Sequence, residues 1–196
     1  MSNMTKPLRR DAARNRAKVL SAAAEVFSEQ GLQGSLEEVA RRAGVGIGTV
    51  YNHFGNRETL IDELLPARLT EVDELAAEAA EEPDAWRALT GFIAALLGRM
   101  DTDRALLEAL TRDRPAAEQI AQACRRGVTH LEKLLERARS AEALRADATD
   151  TDVLNLILAL SLLGSAAGPQ ARQRSLELAL DGLRPQVFRS AADGRN

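Results

Sequence analysis

The chain has 196 residues, 45% of them hydrophobic and only 3% aromatic, with a formal net charge of −3. That length suits one ordinary domain plus a small one, and the apolar share excludes a disordered chain. The single cysteine, Cys124, excludes an internal disulfide framework and suits a reducing compartment.

The apolar content is mostly Ala and Leu without alternating runs, which predicts an all-α protein. Residues 1–9 read as a disordered arm carrying basic residues. A first helix is expected from about Asp11 to Gln30, burying Val19, Leu20, Ala23, Val26 and Phe27 and stopped by Gly31. Ser35 and Glu38 then stand at capping-box spacing, and Leu36, Val39, Ala40 and Ala43 follow at helical spacing. Gly44 falls where this second helix should end. Ile47, Val50, Tyr51 and Phe54 give a short third helix its inner face, leaving Gly46, Gly48, Thr49, Asn52 and His53 outside. Gly55 and Asn56 end it, and Asn56 can cap a fourth helix reaching Ala80, bent at Pro66.

Trp86, Leu89, Ile93, Leu96, Leu97 and Met100 repeat at helical spacing after Pro83. A polar break at 101–103 precedes a short helix with Leu106, Leu107 and Leu110. Pro115 fits the first turn of a long helix to about Arg139. The segment 141–150 reads as a loop. A helix over Val153–Leu163, capped by Thr149, Asp150 or Thr151, is apolar nearly all round, which predicts burial on all sides. At eleven residues the run is too short to span a bilayer. A last helix from Gln170 to Leu180 is stopped by Gly182 and Pro185. About nine helices result, divided into residues 1–56 and 57–196.

Charge divides along the same line. Residues 1–57 hold nine basic and five acidic side chains, a net of +4, which leaves −7 for the rest. A basic head on an acidic body fits a DNA-binding end and a body that DNA does not touch. Two helices joined by a short glycine-containing turn form a helix-turn-helix, whose second helix enters the major groove. Gly48 lets that helix's backbone approach the duplex closely, and the Asn52 amide can pair bidentately with adenine.

No acid/base pair, nucleophile dyad, phosphate loop or metal-ligand cluster of usual spacing appears. The expectation is a protein that is not an enzyme, with no catalytic residues, no metal and no cofactor. The N-terminus lacks a signal-peptide pattern, so a cytoplasmic, nucleoid-associated location without membrane contact is expected.

The strings RAKVLSAAAEVFSEQG and SLEEVARRAGVGIGTVYNHFGNRETLI, within residues 14–61, resemble the DNA-binding domain of the TetR family of transcriptional regulators. The resemblance implies a three-helix head, with a C-terminal helical domain for effector binding and dimerisation. It implies that Thr49, Tyr51, His53, Arg57 and Ser35 hold phosphates and that Asn52 faces the groove, with Gly46 and Gly48 in the reading set. Leu36 and Glu37 depart from the family pattern, and an acidic Glu37 near phosphate would repel it. The resemblance further implies a homodimer on a near-palindromic double-stranded operator, released by an unidentified small molecule. Expected cavity residues are Trp86, Phe92, Leu96, Met100, Leu107 and Leu131, with Leu158 and with Asn155 or His130 as polar orienters. Expected dimer residues are Leu156, Leu160, Leu163, Leu176 and Leu180, on the last two helices.

Overall fold

The computed structural model describes residues 5–111 and 118–185, and among them it is built of nine α-helices and no strands. The helices are α1 (Thr5–Gln30), α2 (Leu36–Ala43), α3 (Ile47–Phe54), α4 (Arg57–Glu81), α5 (Ala85–Thr102), α6 (Arg104–Thr111), α7 (Glu118–Ser140), α8 (Asp150–Ala167) and α9 (Pro169–Leu183). Pro115, expected at the start of the long helix, lies outside the described residues.

The first helix begins about six residues earlier than the sequence suggested, so residues 5–9 are helical rather than a loose arm. Pro7 is third in that helix, where the amide has no acceptor in the preceding turn and its loss costs little. Val19, Ala22, Ala23, Val26 and Phe27 line the buried face of α1.

The α2–α3 turn follows from local chemistry. Gly44 adopts φ 67°, ψ 36°, a left-handed conformation that a side chain would strain. Its N–H and that of Val45 donate to the Arg41 and Ala40 carbonyls, at 3.2 and 3.0 Å, which closes α2. The capping box at the start of α2 is only half made. Ser35 Oγ accepts the Glu38 N–H at 3.2 Å, but the Glu38 carboxylate turns to Arg41 and Arg42 instead of returning to the Ser35 amide. Two charge-assisted partners outcompete one neutral amide. At α4, Asn56 caps as expected, its Oδ1 accepting the Thr59 N–H at 2.8 Å.

The helix α4 belongs to both halves. Near its start Glu63 pairs with Arg16 of α1, and farther along Asp73 meets Arg126 and His130 of α7. Arg137 of α7 donates to the Ala80 and Glu82 carbonyls at its far end. Pro66 sits inside the continuous α4.

At the far end of the body, α8 packs on α9 and α5. It runs for 18 residues and starts from a complete Thr149–Asp152 capping box. It is therefore longer than the run expected from the sequence. By length and composition alone it is apolar enough to cross a membrane, although only 22% of it is buried. Burial on all sides is not what the structure has: Leu158 and Leu162 are 41% and 57% exposed. One face of α8 meets α5 and α9, and among the described residues the other is left largely uncovered. The stop at the end of α9 also differs. Gly182 continues the helix, and Arg184 leaves it in an extended conformation before Pro185.

Buried charge ties α9 back to the body. Arg172, 6% exposed, crosses α8 to pair with Asp101 at the end of α5, Nη2 to Oδ2 at 2.6 Å. Gly164 makes room for that crossing. A Cβ there would lie 2.7 Å from Asp101 Oδ1 and 2.9 Å from Arg172 Cδ.

Candidate DNA interface and effector cavity

The head holds α3 by two anchors. Val50 and Phe54, one turn apart, are buried against the rest of the head, while Ile47 and Tyr51 are 36% and 48% exposed. Ile47 and Tyr51 were expected on the inner face. An eight-residue helix touching its neighbours along one narrow stripe buries only an i, i+4 pair, and these two fall beside that stripe. Tyr51 thereby joins Gly46, Gly48 and Asn52 on the exposed side, with Thr49 and His53 half-buried at its edges. Gly46 offers the first amides of α3 no side-chain cap.

The remaining two expected contacts are engaged within the head. Ser35 Oγ accepts from the Glu38 amide and donates to Glu37 Oε2 at 2.9 Å, so phosphate binding by Ser35 requires Glu37 to swing away. The Glu37 carboxyl is held below its usual range by its own backbone N–H and then by the Ser35 hydroxyl. Arg57 donates to the Leu32 and Gly34 carbonyls and so braces the α1–α2 loop. The carbonyls add no charge of their own, and the Glu37 carboxylate lies near enough to feel the guanidinium.

Charge on the head is less free than the tally of residues implied. Arg41 forks onto Glu38 at 2.7 and 2.6 Å, and Arg42 forks onto Glu29 at 2.8 and 2.6 Å while also reaching Glu38. The guanidinium of Arg41, then that of Arg42, pulls the Glu38 carboxyl down to about 2. Arg14 pairs with Asp11, and Arg16, paired with Glu63, also lies over the Phe54 ring at 5.3 Å. These pairs fasten α1, α2 and α4 around α3. No sequence count could separate such fastening charges from DNA-facing ones.

A cavity of about 330 Å³ opens in the body. Its floor is Phe92, Leu96 and Met100 of α5, with Val72 of α4 and Leu110 of α6. One wall is α7, through Cys124, Gly127, Val128 and Leu131, and the other is α8, through Leu154, Asn155, Ile157 and Leu158. Six of the expected residues are thus brought together: Phe92, Leu96, Met100, Leu131, Asn155 and Leu158. Trp86 and Leu107 are not among them. Trp86 lies near the start of α5, its ring 4.7 Å beneath the Arg184 guanidinium. Leu107 packs on the core, and Leu110, one turn farther along α6, is the one that lines the cavity. His130 is turned to Asp73, 3.1 Å away, and not to the cavity. Val72, Leu110, Cys124, Gly127, Val128, Leu154 and Ile157 were missed. Val72 sits on a helix whose period also serves the head, and a glycine in a wall leaves no hydrophobic signal.

The expected dimer residues also sort by burial. Leu160 and Leu176 are 4% and 1% exposed and form the protomer's own core. Leu156, Leu163 and Leu180 are partly buried against that core. The leucines turned outward on α8 and α9 are Leu158 beside the cavity, 41% exposed, and Leu162 and Leu178, each 57% exposed. The α8–α9 contact takes one stripe of each helix for itself and leaves the leucines beside that stripe exposed.

Comparison with known proteins agrees with this architecture. Residues 19–64 match the model of bacterial regulatory proteins of the tetR family. Residues 84–185, more than half of the chain, match that of the transcriptional regulator SbtR-like C-terminal domain. A TetR transcription regulatory protein from Mycobacterium vanbaalenii is 31% identical, with a TM-score of 0.57 over 91% of this chain and 99% of that one. The ketosteroid transcriptional regulator KstR2 of Mycobacterium tuberculosis is 22% identical and shares the fold, with a TM-score of 0.68 over 87% of this chain and 95% of that one. FadR from Bacillus subtilis, solved with stearoyl-CoA, also shares the fold, at 18% identity and a TM-score of 0.61 over 86% of this chain and 100% of that one. Among curated proteins, the HTH-type transcriptional regulator YhgD of Bacillus subtilis is 39% identical over 64 residues, 32% of this chain. That match spans 34%, about a third, of the relative's own length. These relatives are regulators and not enzymes. With a helix-turn-helix head and a helical C-terminal domain both matched, the chain belongs to the TetR family of DNA-binding transcriptional regulators.

Proposed function

We propose that this regulator is a ligand-responsive homodimeric repressor that releases its operator when a small molecule occupies the body. The observation that carries the reading is the cavity between α5, α7 and α8. A regulator bound constitutively to DNA has no use for such a space, and a well-packed core does not leave one. FadR of the same fold is solved with stearoyl-CoA, which supports an effector site in this kind of body.

The reading assigns residues 1–56 to DNA and 57–196 to effector and partner, with α4 as the element common to both. Tyr51, Asn52 and the glycines of α3 meet the major groove, and Thr49 and His53 flank them on phosphate. Arg57 contributes its charge from the loop brace, and Ser35 follows if Glu37 yields. A second copy covers the exposed stripe of α8 and α9 around Leu162 and Leu178. That also accounts for the apolar surplus of α8 better than a membrane does, because α8 packs on α5 and α9, which the buried Arg172–Asp101 pair ties together across it. Two heads then sit in successive major grooves of a near-palindromic operator in the cytoplasm. An effector that binds better to a differently spaced pair of heads lowers operator affinity by that difference.

The test is a gel shift on the DNA immediately upstream of the protein's own gene, over a series of salt concentrations. A saturable, sequence-specific shift that weakens steeply with salt supports the reading. Weak, sequence-blind binding there and at every other candidate operator would sink it.

A further inference from the structure

The chemistry of the cavity narrows what can occupy it. This inference rests on the effector reading above and deepens it. Among the described residues, no charged side chain lines the space. The basic side chains of α7 nearest the wall have partners outside it: Arg125 pairs with Glu118 at 2.7 Å and Arg126 with Asp73 of α4 at 3.0 Å, whose carboxylate also meets His130 at 3.1 Å. The remaining polar side chains are two. Cys124 is half-buried in the wall, and its Sγ donates weakly to the Ala109 carbonyl at 3.9 Å. Burial pushes that thiol up, so it stays protonated and adds no charge. Asn155 stands exposed on α8 beside Leu158, with Val128 facing from α7. These three mark the mouth.

We propose that the cavity takes an uncharged, mostly hydrocarbon small molecule bearing one hydrogen-bonding group, which meets the Asn155 amide at the mouth. Among the described residues an anion placed in this space meets no cation to offset its lost hydration, a loss that a neutral hydroxyl largely avoids. The apolar walls supply the affinity and the amide sets the orientation.

Gly127 offers a clean way to close the site. It lies in the wall within α7, and a Cβ there meets only Val72 Cγ1, at 3.8 Å. A longer side chain at that position therefore extends into the cavity, while the helix itself gains from losing a glycine.

The experiment uses the full chain and two probes of one shape, 2-naphthol and 2-naphthoate, titrated calorimetrically at pH 7. The neutral probe is expected to bind about tenfold or more tightly than the anion. Gly127→Leu should abolish binding while melting at or above the wild-type temperature. Asn155→Leu should weaken the neutral probe about fivefold, the value of one hydrogen bond. Equal or tighter binding of the anion, lost in Gly127→Leu, overturns the ligand class and leaves the cavity as an effector site. Binding of either probe that survives Gly127→Leu, or no binding of either, overturns the proposal. A neutral probe that binds in the cavity yet leaves the operator complex intact supports the ligand class and counts against effector control by it.

Discussion

The carboxylate of Glu108, on the short helix α6, accepts the backbone N–H of Leu32 at 2.9 Å, across 76 positions of sequence. It joins the body to the loop that precedes α2. The same loop offers its Leu32 and Gly34 carbonyls to Arg57 at the start of α4. On α6, Leu110 lies two residues from Glu108 and lines the cavity. A change in the cavity therefore has a continuous bonded and packed route to the base of the reading head. Glu108→Ala leaves the Leu32 amide without its carboxylate and is expected to cost about 1–2 kcal/mol of stability. Urea unfolding measures that loss. A gel shift should show effector-driven release blunted more than basal operator affinity, and unchanged release would break the route.

On α3, stability and DNA binding should separate. Tyr51 and Asn52 are exposed, so their truncation removes little packing. Asn52→Ala is expected to cost about 1–3 kcal/mol of operator binding and to relax the sequence preference at one position. Tyr51→Ala should weaken binding more evenly across sequences and flatten the salt dependence. Both variants should unfold within about 0.5 kcal/mol of the wild type. A large loss of stability in either would mean that the side chain holds the head together instead.

At the far end of the molecule, Leu162→Glu combined with Leu178→Glu places two charges on the outward stripe of α8 and α9. Sedimentation should convert a dimer to a monomer, with helical content retained. Leu160→Glu or Leu176→Glu should unfold the protomer, because both leucines sit in its core. A dimer that survives the double substitution at 162 and 178 would place the interface on another surface.

Two helical glycines should respond to alanine with opposite signs. At Gly127 the new Cβ finds an ordinary contact at 3.8 Å, so Gly127→Ala should stabilise by about 0.5–1 kcal/mol. At Gly164 it would press on Asp101 and Arg172 at 2.7 and 2.9 Å, against a buried ion pair. Gly164→Ala should destabilise, by about 1–3 kcal/mol. Thermal melts of the two variants side by side check the contrast.

Acid should loosen the head through Glu38. Its carboxyl is depressed to about 2 by Arg41 and then Arg42. A carboxylate with a lowered folded-state value stabilises fully above its unfolded value near 4.5, and that contribution is lost as pH falls toward about 2. Solvent screening keeps the effect small at this exposed site. Denaturant midpoints at pH 5 and pH 2.5 should fall farther apart for the wild type than for Glu38→Gln. Equal shifts would show that the Arg41–Glu38–Arg42 cluster adds nothing to folding.

Local chemistry determined much of this protein from sequence alone. Helix periods, the Gly31 and Gly44 stops, the Ser35 and Asn56 caps and the α2–turn–α3 spacing are legible because each depends on residues within a few positions. The resemblance of residues 14–61 to a TetR head, rather than local chemistry, singled out α3 as the helix expected at DNA. What tertiary structure alone decided depends on distant partners. Whether Tyr51 faces in or out was set by which stripe of α3 the head could cover. Whether Leu160 or Leu162 is left exposed was set by which stripe of α8 packs on α5 and α9. Arg57 became a brace because Leu32 and Gly34 present carbonyls to it, and Arg41 and Arg42 became clasps because Glu29 and Glu38 stand beside them. The cavity arose from where α5, α7 and α8 leave a space, which hydrophobic periodicity cannot register, because a residue lining a void and a residue filling a core carry the same apolar signal.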